Sequence, residues 1–268
     1  PQSPLRKRQM KPYSEKITFA SSAGDLLAAS LELPVAPPRA YALFAHCFTC
    51  SKDYVAASWI AKSLAAEEIA VLRFDFTGLG NSQGDFANTN FSSNVEDLLA
   101  AATFLRENYS APEILVGHSL GGTASIVAAS KLADVRAVAT INAPHSPAHL
   151  KRHLQAAESE INTRGEAIVN LAGRPFKIKK QFLDDISSHN MDEILRSLNK
   201  PLMIFHSPVD KIVGIDSAAK LFTTARHPKS FISLDSADHL LTNKADADFV
   251  GRTLAAWALR YVGGKRDS

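Results

Sequence analysis

The chain has 268 residues, of which 46% are hydrophobic, and a formal net charge of +3 from 30 Lys and Arg against 27 Asp and Glu. A chain of this length can bury roughly three quarters of its unfolded surface in one large domain, so neither metal nor disulfide is needed as a staple. The mixed charge excludes a nucleic-acid-binding field, two cysteines exclude a secreted disulfide framework, and no apolar run is long enough to span a membrane.

Residues 1–12, PQSPLRKRQMKP, are basic and proline-flanked and lack the apolar run of a secretory signal; they read as a disordered extension, with Met10 as a natural start. The main domain is expected over 13–263, with a short tail at 264–268. Residues 16–33 read as two strands turning at SSAGD, an antiparallel lead-in hairpin. From residue 40, short apolar runs (AYALFAHCF, IAVLRFDF, APEILVGHS, VRAVATIN, PLMIFHS and SFISLD) alternate with amphipathic segments at 54–67, 91–107, 120–132, 215–226 and 245–261. That alternation predicts an α/β fold whose mostly parallel sheet carries helices on both faces. Residues 144–200 are too long for a connection between neighbouring strands and predict a small lid insertion. Within it HLKRHLQAAESEI reads as a helix, EAIVNLAGRPFKIKK as a hairpin turning at Gly173, and DEILRSL as a short helix.

The segment ILVGHSLGGTASIVAAS contains G-x-S-x-G at Gly117, Ser119 and Gly121, with an apolar strand running in and an alanine-rich helix running out. That setting fits a nucleophile elbow, where small residues let the flanking segments approach and leave the serine hydroxyl exposed above the sheet. A serine hydroxyl needs a base, and the base needs an acid, at the same carboxyl rim of the strands. His239 follows the strand SFISLD, whereas His227 precedes it; Asp210 follows PLMIFHS, and the other acid position open in such a sheet holds Asn142. Ser119, Asp210 and His239 are therefore the candidate catalytic residues. They point to a serine hydrolase cleaving small carboxylic esters through an acyl-enzyme, with thioester hydrolysis or acyl transfer using the same parts.

Together AHCFTCSKD, LRFDFTGLGNSQGDFANTNFSSNVEDL, VGHSLGG, HSPVDKIVGIDSAAKLFTTARHPKS and DSADHLL resemble the serine α/β-hydrolase superfamily, and more narrowly the hydrolase half of bacterial proteins fused to an OsmC-type domain. The resemblance implies an α/β-hydrolase fold with an eight-stranded sheet, the Ser119, Asp210, His239 triad, and an oxyanion hole from the backbone N–H groups of Phe48 and Leu120. His46, Cys47 and His118, beside those positions, are candidate substrate-binding residues. No metal or organic cofactor is implied. The expected partner is a small-molecule ester, with neither nucleic acid nor membrane, in the cytoplasm; the oligomeric state is open.

Other patterns carry weaker signals. Cys47 and Cys50 form a C-x-x-C, so a thiol redox or metal-binding protein is the alternative reading, beside a non-catalytic hydrolase-like scaffold. GLGNSQG has glycines at 78, 80 and 84, out of register with a dinucleotide fingerprint, and reads as a turn. His145, His149 and His153 have helical spacing, but Pro144 and Pro147 interrupt the helix, and a solvated lid face is expected. RPFKIKK reads as a half-buried strand with its lysines outside.

Overall fold

The computed structural model describes residues 11–48, 50–171 and 173–263. The extension expected at 1–12 lies outside the described residues up to residue 10, as does the tail expected at 264–268. The lead-in hairpin is β1 (Tyr13–Ala20) and β2 (Leu26–Leu33), antiparallel, with Gly24 at φ +91° in its turn. There follow β3 (Ala40–Ala45), α1 (Val55–Ala66), β4 (Ile69–Phe74), α2 (Phe91–Asn108), β5 (Ile114–His118), α3 (Leu120–Lys131) and β6 (Ala137–Ile141). The stretch between β6 and the next strand of the main sheet holds a 3₁₀ turn at Pro147–Leu150, α4 (Lys151–Arg164), the antiparallel hairpin of β7 (Glu166–Leu171) and β8 (Arg174–Lys179), α5 (Lys180–Ser188) and α6 (Met191–Ser197). The chain returns through β9 (Leu202–His206), α7 (Asp216–Thr224), β10 (Lys229–Ser233) and α8 (Lys244–Ala258).

The main sheet has eight strands in the order β1-β2-β4-β3-β5-β6-β9-β10, antiparallel at β1/β2 and β2/β4 and parallel elsewhere. Side-chain alternation explains why its central strands are continuous apolar runs. In β3, Ala42 and Phe44 join a core with residues of α1 and α8, while Leu43 and Ala45 join the opposite core with residues of α2 and α3. Local chemistry starts the helices. The Asn90 side chain accepts from the Ser93 N–H while the Ser93 hydroxyl accepts from the Asn90 N–H, a reciprocal cap on α2.

From β3 the chain steps to β4 on one side and then to β5 on the other. The strand order therefore reverses at β3, and the loops after β3 and β5 open a crevice at the carboxyl rim, where open α/β sheets bind ligands.

The interpolated segment contains the expected first helix, hairpin and last helix, and adds α5, which the sequence reading leaves unassigned. The strand reading of RPFKIKK runs on to Lys180, where α5 begins, and obscures the helical spacing of Phe182, Leu183 and Ile186, all buried. In β8 itself Ile178 is buried while Lys177 is exposed, as alternation requires. The three insertion histidines do not make a solvated face. His145 is buried with Nε2 2.9 Å from Asp192 Oδ1, and His149 Nε2 lies 3.0 Å from the Ile212 carbonyl oxygen. The Pro147–Leu150 turn sets His145 apart from His149 and His153, whose ring centroids stay 5.7 Å from each other.

Candidate active site

β5 delivers Ser119 to the rim, and the immediate start of α3 forces a sharp reversal there. Ser119 has φ +54° and ψ −129°, a conformation that side chains rarely adopt. Bonds from the Ser119 N–H to the Ile141 carbonyl (2.8 Å) and from the Gly122 N–H to the Ser119 carbonyl (2.9 Å) hold it. The turn is possible because a Cβ on Gly117 would stand 2.2 Å from the Gly121 carbonyl oxygen, and one on Gly121 2.4 Å from that of His46.

The loop after β10 brings His239 over Ser119, with Nε2 3.1 Å from Oγ. The loop after β9 brings Asp210 under the same ring, with Oδ2 2.6 Å from Nδ1. Asp210 Oδ1 accepts from the Ile212 and Val213 N–H groups at 2.7 and 3.0 Å. Burial alone would push the Asp210 carboxyl up; the hydrogen bond and charge of His239 and the two backbone donors outweigh it and hold the group below its ordinary value. An ionised Asp210 accepts a hydrogen bond from His239 Nδ1–H, and in that tautomer Nε2 is an acceptor facing Ser119 Oγ.

Asn142, noted in the sequence only as an amide at an acid position, ties these loops together. It is fully buried at φ +47°, donates from Nδ2 to the His239 carbonyl at 3.0 Å, and accepts from the Ser207 N–H on Oδ1 at 2.9 Å. His118 Nε2 donates to the same His239 carbonyl at 2.7 Å. Burial, aided by the neighbouring His239, pushes His118 down to about 3, so it stays neutral.

These contacts correct two of the candidate substrate-binding residues. His46 and His118 are each 1% exposed and neither lines the cleft that holds Ser119; His118 ties the His239 loop from behind, and His46 borders a separate small cavity with Phe48 and Leu120. Cys47 does line that cavity, a cleft of about 390 Å³ walled by Phe48, Leu150, Leu171, Ile212 and Leu240, with Ser119 and His239 in it and His153 and Arg174 also in its wall. The sequence showed no sign of these insertion residues because nothing local marks a cavity wall. Cys47 and Cys50 are joined in a disulfide in that wall. Phe48 lies inside the ring so closed, and Leu120 is the first residue of α3, whose opening N–H groups have no acceptor within the helix. Among the described residues, no group of three His, Cys, Asp or Glu side chains could hold a metal.

A family model described as serine aminopeptidase, S33 (Hydrolase_4) matches residues 36–194, more than half of the chain. The chain belongs to that family. It is a hydrolase of the α/β-hydrolase superfamily, and a carboxylic ester hydrolase is what its relatives support. The esterase domain of a Rhodothermus marinus protein is 50% identical, with a TM-score of 0.77, covering 94% of this chain and 100% of that one. The mouse palmitoyl-protein thioesterase ABHD10, mitochondrial, is 26% identical over 69% of this chain and 66% of its own length. The rat monoglyceride lipase is 28% identical over 48% of this chain and 43% of its own length. The hydrolase thus spans about two thirds or less of those two curated relatives. Est1E of Butyrivibrio proteoclasticus, solved with ferulic acid, shares the fold at 18% identity and a TM-score of 0.78, covering 91% of this chain and 98% of its own.

Proposed function

We propose that this hydrolase cleaves small carboxylic esters, thioesters included, through an acyl-enzyme. Ser119 Oγ attacks the acyl carbonyl as its proton passes to His239 Nε2; the tetrahedral oxyanion is held by the N–H groups of Phe48 and Leu120; and the proton moves on to the leaving alcohol or thiol as the acyl-enzyme forms. Water, deprotonated by the same imidazole, then releases the acid and restores Ser119. Asp210 orients the ring and balances its charge. The supporting observation is the chain of contacts from Ser119 Oγ to His239 to Asp210, at 3.1 and 2.6 Å, opening into a mostly apolar cleft. A cleft of about 390 Å³ stands near the lower end of ligand pockets, roughly 300–1,000 Å³, which favours a short or medium acyl group or a small aromatic ester. The relatives named as thioesterase and monoglyceride lipase place thioesters and glycerol esters among the substrates to try.

No described helix is long and apolar enough to cross a membrane. The cytoplasmic location, the kinship with the hydrolase half of OsmC-fused proteins, and the division into one domain with a lid remain parts of this proposal.

A second reading has its own observation, the Cys47–Cys50 disulfide in the cleft wall. A graded series of p-nitrophenyl esters separates the two. Ser119→Ala is expected to lose on the order of a million-fold in turnover, while the Cys47→Ser, Cys50→Ser double variant keeps most of it. Ester turnover that survives in the alanine variant, or disappears with the cysteines, favours the thiol reading.

A further inference from the structure

The loop after β3 must present the Phe48 N–H to an oxyanion, and of the two hydrogen bonds that hold the carbonyl before it, the shorter comes from behind, from His46. In a trans peptide, the C=O of one residue and the N–H of the next point opposite ways across one rigid plane. The carbonyl of Cys47 and the N–H of Phe48 share such a plane. The Cys47 carbonyl accepts from His46 Nδ1 at 2.7 Å and from the Cys50 N–H at 3.1 Å. Cys47 and Phe48 line the cleft, whereas His46 lies behind them, off it. Pulling the carbonyl back toward His46 therefore turns the Phe48 N–H forward.

His46 is itself held. Its ring stands edge-on to Phe76 with centroids 4.9 Å apart, and Nε2 accepts from the Phe76 N–H at 3.5 Å. A carbonyl can only accept, so Nδ1 carries the proton; an N–H can only donate, so Nε2 does not. Both contacts call for the same neutral tautomer. Burial, opposed by the Cys47 carbonyl and Asp75, holds His46 below its ordinary value.

Resting on the esterase reading, we propose that His46 is a positioning residue for the oxyanion hole: its Nδ1–H fixes the Cys47–Phe48 peptide plane so that the Phe48 N–H faces the tetrahedral oxygen. Its effect falls on the transition state and not on substrate binding, because it has no surface in the cleft.

The test compares wild type with His46→Leu, His46→Asn and His46→Gln on one p-nitrophenyl ester, with thermal melts to establish folding and the inhibition constant of an arylboronic acid that mimics the tetrahedral adduct. The asparagine amide nitrogen falls close to Nδ1 of histidine, whereas that of glutamine falls close to Nε2. His46→Leu is expected to lose about 10–100-fold in kcat with KM within about threefold, and boronic acid affinity should fall in proportion, since a misdirected donor costs less than the 10²–10³ of an absent one. His46→Asn should recover most of that loss and His46→Gln little of it. A folded His46→Leu with wild-type kcat, a loss confined to KM, or an asparagine variant as poor as the leucine one would overturn the proposal. If His46→Leu does not fold, the contrast between asparagine and glutamine decides. A wild-type enzyme that turns over no ester, or an active Ser119→Ala, would instead remove the esterase reading on which this rests.

Discussion

Ser119 is one of six described non-glycine residues with positive φ, and its strain is contained because both flanking peptides are hydrogen-bonded. Such a conformation costs of the order of 1–3 kcal/mol, which the surrounding core has to offset. Asp210 illustrates how far one atom matters at this scale. In Asp210→Asn the carbonyl can still accept from Ile212 and Val213, but an amide NH₂ then faces Nδ1 of His239. The ring must expose an acceptor at Nδ1 and carry its proton on Nε2, where it cannot take another from serine. A fall in kcat of about 10⁴ is expected with KM little changed, measured on the preferred p-nitrophenyl ester. The same substitution tests linkage. Because Asp210 is held below its ordinary value, its contribution to stability is present above the unfolded carboxylate value of about 3.9 and is lost as pH falls through the lower folded value. Melting temperature between pH 2 and 6 should therefore depend less steeply on pH in the variant.

Between elements, the decisive contact is that of α3 with the end of β3. The Cβ built on Gly121 meets only backbone, the His46 and Ala45 carbonyl oxygens at 2.4 and 2.5 Å, so no rotamer change can relieve it. Gly121→Ala is expected to push the β3 loop and the elbow apart, with about 1–3 kcal/mol lost in denaturant unfolding and kcat reduced about 100-fold. Gly214→Ala, where nothing lies within 4 Å, is the control and should leave the unfolding midpoint within about 0.5 kcal/mol. The far end of the same loop is anchored separately. The Lys52 N–H donates to Asp75 Oδ1 at 2.5 Å, its Nζ to Asp75 Oδ2 at 2.9 Å, and the Arg73 guanidinium donates to the Lys52 carbonyl. The loop after β3 is thus braced at both ends, as the proposed role of its backbone N–H groups requires.

Across the whole molecule, the cleft is shared between the rim of the sheet and the segment interposed between β6 and β9. The rim supplies Ser119, His239 and the disulfide; the interposed segment supplies Leu150, His153, Leu171 and Arg174. Chemistry and selectivity are therefore separable. Leu171→Trp should lower kcat/KM for longer acyl chains at least about tenfold more than for acetate, because it narrows the cleft from a wall that holds none of Ser119, His239 and Asp210; a p-nitrophenyl ester series read as a ratio of kcat/KM values checks this.

Much of this architecture can be read along the chain. Apolar runs of strand length, amphipathic runs of helix length, and the G-x-S-x-G flanked by both are local patterns, dictated by side-chain period and by where a backbone can turn without a Cβ. Placement of His239 and Asp210 required only the rule that functional side chains leave the carboxyl ends of parallel strands. Folding in three dimensions was needed for what depends on partners far apart in the chain. His46 and His118 left the cleft once residues from other strands buried them, and Asn142 became a tie because it meets a loop 97 positions away. His145 met Asp192 across the insertion, whereas His149 and His153 stayed side by side with ring centroids 5.7 Å apart. Period and turn chemistry are properties of neighbours in sequence, whereas burial and the direction of a hydrogen bond belong to neighbours in space.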